Sequence, residues 1–539
     1  MAAIVLCAWC SAVSYGATPP ALSGVVSSQE EGQMEGVQVS AKRDGSNVTV
    51  SVVSDSQGRY SFPGERLKPG SYHVKMRAVG YDLDDPGTIK IEANKTAKLD
   101  LKLQKTKDLA SQLTNAEWFL SNPEIKKRLL DDYKYGNNCI SCHTLAVVMK
   151  SKYKPEDWPK LLTTRMWTYA EASILRTYEN PVRLPVKLRD VAPERPHTPE
   201  LAAYLSSINL SNRPDGTWPF ELKTLPRVKG RSTKVIVTEY DLPRKECQPH
   251  DAAVAPDGMV WYTDVGNGYL GMFNPRSEQF QEWPIPVPTK PGPHEPPHTF
   301  DIKFDKQGNP IVGGSLGIIR FDRKTATFKV WEDVPGGMVA VSPDGIVWSK
   351  DQEKFKIYKL DPKTGEHTMF AMLPNNRFYG IEADSKGNFY GASLQQAVIG
   401  EMNGKTGEWK LYPTPTPDSG SRRADMDKQD RLWFAEYYVG KIGMFDTNTK
   451  QFREWDIPPT PLSGPYDVVA DKNGEVWAAG EFTDNVFRLN PGTGQVTTYP
   501  IPSLYFQAQR IDVDNSTNPV TVWVGESHRA KLAKVEPLD

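Results

Sequence analysis

Between residues 20 and about 104 the chain alternates apolar and polar positions in short runs, among them Val37-Gln38-Val39, Val48-Thr49-Val50-Ser51-Val52, Tyr60-Ser61-Phe62 and Tyr72-His73-Val74. Turn signals such as Asp44-Gly45, Gln57-Gly58 and Pro69-Gly70 separate them. A period of two with such punctuation predicts a small antiparallel β-sandwich. Residues 108–212 change to helical spacing. A helix is expected from Asn115 to Tyr133, and another where Thr198-Pro199-Glu200 offers a capping hydroxyl, a first-turn proline and an acid. Its body, Leu201, Tyr204, Leu205 and Ile208, keeps apolar residues at i, i+3, i+4 and i+7. Residues 213–234 form a basic, turn-rich linker.

From residue 235 onward one phrase repeats about every 40–50 residues: an apolar strand, a turn, and a second strand carrying an aromatic. Ala255-Pro256-Asp257-Gly258-Met259-Val260-Trp261, Ser342-Pro343-Asp344-Gly345-Ile346-Val347-Trp348 and Asp471-Lys472-Asn473-Gly474-Glu475-Val476-Trp477 are its clearest copies. Third strands such as Leu270-Gly271-Met272-Phe273 and fourth strands such as Phe452-Arg453-Glu454-Trp455-Asp456 follow. Four short strands per repeat predict a β-propeller, here with seven inner-strand phrases. The last repeat lacks its fourth strand, and Val235 to Pro243 reads like the missing one. A ring closed by pairing its first strand with its last blade leaves no open edge. The expected class is therefore multidomain and mainly β: a small β-sandwich, a small α-helical unit, and a seven-bladed β-propeller closed by an N-terminal strand.

Composition agrees: 41 Gly, 44 Pro and 14 Trp in 539 residues favour a turn-rich β protein. With 65 basic and 66 acidic residues the charge is balanced, which argues against nucleic acid as a partner. Residues 1–17, MAAIVLCAWCSAVSYGA, are an apolar run ending in small residues, read as a signal peptide. That implies a periplasmic or secreted protein with no transmembrane segment after cleavage.

The strongest local motif is Cys139-Ile140-Ser141-Cys142-His143. A C-x-x-C-H pentad offers two thiols for thioether bonds to haem and a histidine for the iron. A zinc site would need two more ligands nearby, and the only later cysteine is Cys247. The expectation is a covalently bound haem c, with Met166 ahead of His197 as the opposite axial ligand and electron transfer as its use. First and last helices crossing beside such a haem resemble the class I cytochrome c fold over residues 108–212.

Two further resemblances cover the flanks. Asp55-Ser56-Gln57-Gly58-Arg59-Tyr60-Ser61-Phe62, followed by Pro69-Gly70-Ser71-Tyr72, resembles the carboxypeptidase regulatory-like domain, which implies a non-catalytic sandwich over residues 20–104. Trp433-Phe434-Ala435-Glu436, Lys441-Ile442-Gly443-Met444-Phe445-Asp446 and Glu454-Trp455-Asp456-Ile457-Pro458 resemble the streptogramin (virginiamycin B) lyase family over residues 235–539. That resemblance implies a metal with His and Glu at one mouth of the propeller channel. The inner-strand positions facing that mouth are His250, Phe300, Gly337, Tyr379, Arg422, Tyr466 and about Gln509. Second-strand ends add Asp264, Glu436 and Glu526, with Glu481 one position further on. His250 and Glu436 are the candidate catalytic pair, and Asp264 and Glu526 candidate ligands of Mg2+ or Ca2+.

Three functions remain open at this point. One is an exported monohaem cytochrome whose propeller binds a redox partner protein or a small-molecule substrate. Another is a metal-dependent lyase with an accessory haem. The third is a surface or polysaccharide-binding scaffold. His294 and His298, in or beside the proline-rich insertion Pro284 to Pro297, are read as a surface loop.

Overall fold

A computed structural model describes residues 19–131, 140, 144–149, 153–163, 198–209, 216–286 and 298–539. Residues 1–17, Cys139, Cys142, His143, Met166, His197 and His294 lie outside the described residues.

The repeat is built on one turn. Asp305, Asp384, Asp427 and Asp471 each accept hydrogen bonds through Oδ1 from the backbone two and four residues on, at 2.8–3.0 Å. The glycine that follows in three of these turns, Gly308, Gly387 and Gly474, holds a φ of 77–79°, a region costly for a side chain with Cβ. The second aspartate oxygen reaches the next strand, where it accepts from Trp433 Nε1 at 2.9 Å and Trp477 Nε1 at 3.0 Å. Turn and strand aromatic are thus one unit. Trp261, Trp348, Trp433, Trp477 and Trp523 are all buried between neighbouring sheets. Third-strand glycines make room for second-strand rings: a Cβ on Gly271 would fall 2.0 Å from Tyr262 Cζ, and one on Gly443 2.2 Å from Phe434 Cζ.

These phrases give a propeller-like repeat. Six separate four-stranded antiparallel sheets occupy Pro249–Pro284, Thr299–Trp331, Val339–Ala371, Phe378–Pro413, Ser421–Asp456 and Pro465–Pro500. Ile511–Asp514, Thr521–Glu526 and Lys531–Pro537 supply three more strands, and Val235–Asp241 completes the set by antiparallel pairing along Lys531–Pro537. Inner strands of successive sheets touch in order, and Ile511–Asp514 returns to Pro249–Val254.

That completing strand has a second partner. Its other edge pairs antiparallel with Val48–Val53, from Ile236 opposite Val52 to Tyr240 opposite Val48. One eight-stranded sheet therefore runs from the last blade into the N-terminal β-sandwich. The sandwich's other sheet centres on Leu22–Ser28 and Leu101–Lys105, and Val26, Val39, Val50, Tyr60, Phe62 and Leu101 fill the space between the two. Arg66 makes paired 3.0 Å bonds to Glu536 across the junction. Arg77 reaches Asp484 at 2.8 Å and the Ile501 carbonyl at 2.8 Å.

The helical region corrects the expectation of an independent cytochrome c unit. The helix expected from Asn115 to Tyr133 stops after Ser121: Asn122 is extended (φ −145°, ψ 97°) and caps Pro123–Lys126, which is followed by a π-turn over Lys127–Asp131. Proline at 123 forbids an α-helical Asn122 and removes one ladder donor. Helices over Leu145–Met149, Trp158–Thr163 and Thr198–Ile208 complete the described set, the last starting where its capping signal predicts. Their core does not close on itself. Trp118, Phe119, Leu145 and Leu205 belong to one apolar cluster with Tyr437, Tyr466 and Phe482 of the propeller.

Candidate functional site: the propeller mouth under the helices

The inner strands share a defect at one end. A register shift interrupts pairing between Pro249 and Asp251, Thr299 and Asp301, Phe378 and Gly380, Ser421 and Ala424, and Pro465 and Asp467. A bulge adds a residue and re-aims its side chain. The residues so released are His250, Phe300, Tyr379, Arg422 with Arg423, and Tyr466; all but Arg423 are mouth positions read from the sequence, and the strands after Gly337 and Gln509 pair without such a shift.

One layer deeper the channel is filled by charge. Arg423 bonds Asp251 at 2.8 and 3.0 Å and the Phe300 carbonyl at 2.7 Å; Arg510 bonds Asp301 at 2.5 Å. Burial works against ionised Asp251, but Arg423, His250 and Arg510 hold its carboxyl well below the usual range. Burial raises Asp467 to about 6 against the pull of Arg423 and Arg510. This ring floors the mouth.

Above the floor the Arg422 guanidinium is caged. Its carbon lies 3.6, 4.2 and 4.9 Å from the ring centres of Tyr466, Tyr437 and Tyr379. Stacking on aromatic faces leaves the N–H edges for in-plane acceptors. The side chain is 2% exposed, yet Nε and Nη1 have no hydrogen-bond partner among the described residues. The Tyr379 and Tyr466 hydroxyls meet at 2.6 Å. Glu481 faces the same cation; Tyr437 Oη donates to its Oε2, and Gln507 Nε2 donates to its Oε1 at 3.1 Å. Burial raises the Glu481 carboxyl to about 7, with Arg422, Tyr437 and Gln507 opposing.

The register explains why Glu481 is here. Gly480 pairs with Pro465, as Glu436 pairs with Ser421 and Asp264 with Pro249. Glu481 is one residue later, equivalent to Tyr437, and one residue turns a strand side chain to the opposite side. Tyr437 and Gln507 were not anticipated. The signal for Tyr437 is its place immediately after a strand-end acid.

The helical residues roof this mouth. Ala116 N donates to the Phe482 carbonyl at 2.8 Å, Lys126 Nζ to Tyr438 at 3.2 Å, Tyr505 Oη to Leu113 at 2.5 Å and Gln507 Nε2 to Ile140 at 2.6 Å. Phe119 packs edge-on against Phe482, 5.2 Å between ring centres.

The other candidate residues are dispersed. His250 is buried with Nδ1 2.6 Å from Asp251, and burial lowers its pKa despite that carboxylate. Glu436 lies in a separate pocket of charge with Glu454 and Lys441. Asp264 accepts from Arg244 at 2.7 Å, the Gln248 amide at 2.9 Å and Asn267. Glu526 is beside Glu239 and Lys531.

The cofactor expectations are corrected here. Among the described residues no group of three or more His, Cys, Asp and Glu side chains is placed to hold a metal ion. Asp264 and Glu526 already have cationic neighbours, Arg244 and Lys531, where Mg2+ or Ca2+ would stand. The described helices are short and share their apolar core with the propeller mouth, and the family matches reported below cover the sandwich and the propeller. Haem c and the divalent ion are both withdrawn as cofactors, while Cys139, Cys142, His143 and Met166 themselves lie outside the described residues.

Residues 321–537 match the virginiamycin B lyase family. Residues 21–104 match the carboxypeptidase regulatory-like domain. No curated protein matches the chain. Among solved structures, a streptogramin B lyase superposes with a TM-score of 0.50 at 20% identity, covering 57% of this chain and all of that one. A selenomethionine-substituted virginiamycin B lyase from Staphylococcus aureus gives 0.49 at 21%, covering 56% and 99%. At 20% identity the streptogramin B lyase likeness establishes the propeller fold.

Proposed function

We propose that this chain is a seven-bladed, lyase-like propeller that binds a small anionic molecule at the mouth roofed by its helices. The observation that carries this reading is the Arg422 cage: a buried cation stacked on three tyrosines, with two nitrogens lacking partners among the described residues. Leaving buried donors unmade costs about 1–3 kcal/mol each, more for charged groups, so a fold keeps such a cation where something else completes it. The channel floor is already paired within itself, so the ligand enters and leaves on the helical side. An enclosed cage of this kind suits a small-molecule substrate better than a protein partner. Elimination chemistry, in which an oxyanion develops, fits a fixed guanidinium.

The test is thermal denaturation of the full chain with acetate, benzoate or inorganic phosphate. A ligand bound only by the folded state raises Tm in proportion to the logarithm of its concentration. Wild type should be stabilised by at least one anion, and Arg422→Gln, folded by circular dichroism, by none. A wild type indifferent to all three anions, or a variant that responds equally, refutes the reading.

A further inference from the structure

We propose that Glu481 takes up a proton when an anion occupies the Arg422 cage, so that the site loads its ligand as anion plus proton. This rests on the anion-binding reading above and specifies how that site is regulated and which charge state it accepts.

The argument is one of charge count in a buried space. Arg422 is the cation at the centre of the tyrosine cage, within 4.9 Å of all three ring centres, whereas Arg423 touches only the Tyr466 ring, at 5.8 Å. The next two, Arg423 and Arg510, are committed to Asp251 and Asp301 in the layer below. Lys350, also buried, is lowered to about 8 by burial and by Arg423 against the pull of Asp301, and so belongs to that lower layer. Glu481 already faces Arg422 and is 1% exposed. An arriving anion would place two negative charges against one guanidinium in a buried space where screening is weak, and a like charge there favours protonation. The proton comes from solvent: one O–H bond forms on the Glu481 carboxyl, and nothing is oxidised or reduced.

The hydrogen-bond inventory favours the same exchange. An ionised carboxylate only accepts, whereas a carboxylic acid also donates. Once protonated, Glu481 becomes a donor beside Arg422. The hydroxyl pair of Tyr379 and Tyr466 shares a single bond, so one further O–H hydrogen is left over. Arg422 Nε and Nη1, that hydroxyl and the Glu481 carboxyl then make an all-donor cage suited to a singly charged carboxylate. Because burial already brings Glu481 to about 7, the proton is taken up at little expense near neutral pH.

Isothermal titration of the full chain with benzoate, in Tris and in triethanolamine at pH 8, reads the proton count from the difference in buffer ionisation heat. Wild type should take up close to one proton per benzoate at pH 8 and almost none at pH 5.5. Its affinity should fall about tenfold per pH unit above 7. Glu481→Gln should bind benzoate with no uptake and with an affinity independent of pH; Asp467→Asn should retain the uptake. Benzoate bound by wild type with no proton at pH 8 overturns this proposal alone. Uptake that survives Glu481→Gln but disappears in Asp467→Asn transfers the role to Asp467 and overturns it too. Wild type that binds no benzoate at any pH removes the anion site itself, and this inference with it.

Discussion

Substituting Glu436 by glutamine isolates a buried carboxyl whose neighbours are known. Glu436 is fully buried at the end of Arg431–Glu436. Burial, then the Glu454 charge, raises its carboxyl to about 9. Glu454 is the better-served partner, accepting from the Thr416 amide at 3.0 Å and hydroxyl at 2.6 Å, with Lys441 Nζ at 3.6 Å. A folded pKa above the unfolded one means that the native state holds the extra proton. The stability from this group is complete below about pH 4.5 and is lost progressively as pH rises toward 9. Each pH unit in that window is worth about 1.4 kcal/mol, so the loss between pH 6 and pH 8 is about 3 kcal/mol, or about 3 °C in Tm for a chain of 539 residues. Glu436→Gln keeps the shape and a donor toward Glu454 but cannot ionise. Its Tm should therefore gain on wild type as pH rises, while the two converge toward pH 4.5. Differential scanning calorimetry at half-unit steps measures the difference curve, in which Asp467 and Asp425, the latter raised to about 7 by burial, cancel because both proteins contain them. Parallel curves between pH 6 and pH 8 would refute the raised carboxyl of Glu436.

Two further substitutions probe the fold. Arg77→Ala strands Asp484, which is 2% exposed and whose burial already raises its pKa against the pull of Arg77. Urea denaturation should show a loss of about 3 kcal/mol, and Arg77→Lys should recover less than half because the guanidinium also serves the Ile501 carbonyl. Gly443→Ala should cost about 1–3 kcal/mol by the same assay, since its Cβ would lie 2.2 Å from Phe434 Cζ. An unchanged midpoint would show that the ring shifts freely.

The parts of the fold that were legible in the sequence are those fixed by short-range rules. Aspartate, glycine and tryptophan at set offsets announce each turn and second strand, and Val235–Asp241 reads as a fourth strand because it has the composition of one. Its pairing with Val48–Val53 was not legible. Nothing local to either strand encodes a contact between residues about 190 positions apart. The helical region was misread for a smaller reason: periodicity continued past Asn122, but Pro123 cannot. Legibility of the site divides the same way. The mouth positions follow from a repeating inner strand, so Arg422, Tyr379 and Tyr466 could be placed. Glu481 could be noticed but not oriented, because a single-residue offset after Gly480 decides which side of the strand it occupies. The Cys139 to His143 pentad carried the cofactor expectation alone, and a five-residue motif says nothing about the pocket that must surround it.

The doubly paired strand Val235–Asp241 bears on the order in which the chain assembles during synthesis. Its later partner, Lys531–Pro537, is made only after the six intervening sheets, whereas Val48–Val53 is already made when residue 235 appears. Of its two partners, the sandwich strand is the one already present while the intervening blades are made. Pairing with the sandwich strand satisfies one rail of its backbone groups independently of the pairing with Lys531–Pro537 along the other. A growing propeller without that anchor would wait with both sides of this strand bare, open to pairing with other chains on the same messenger.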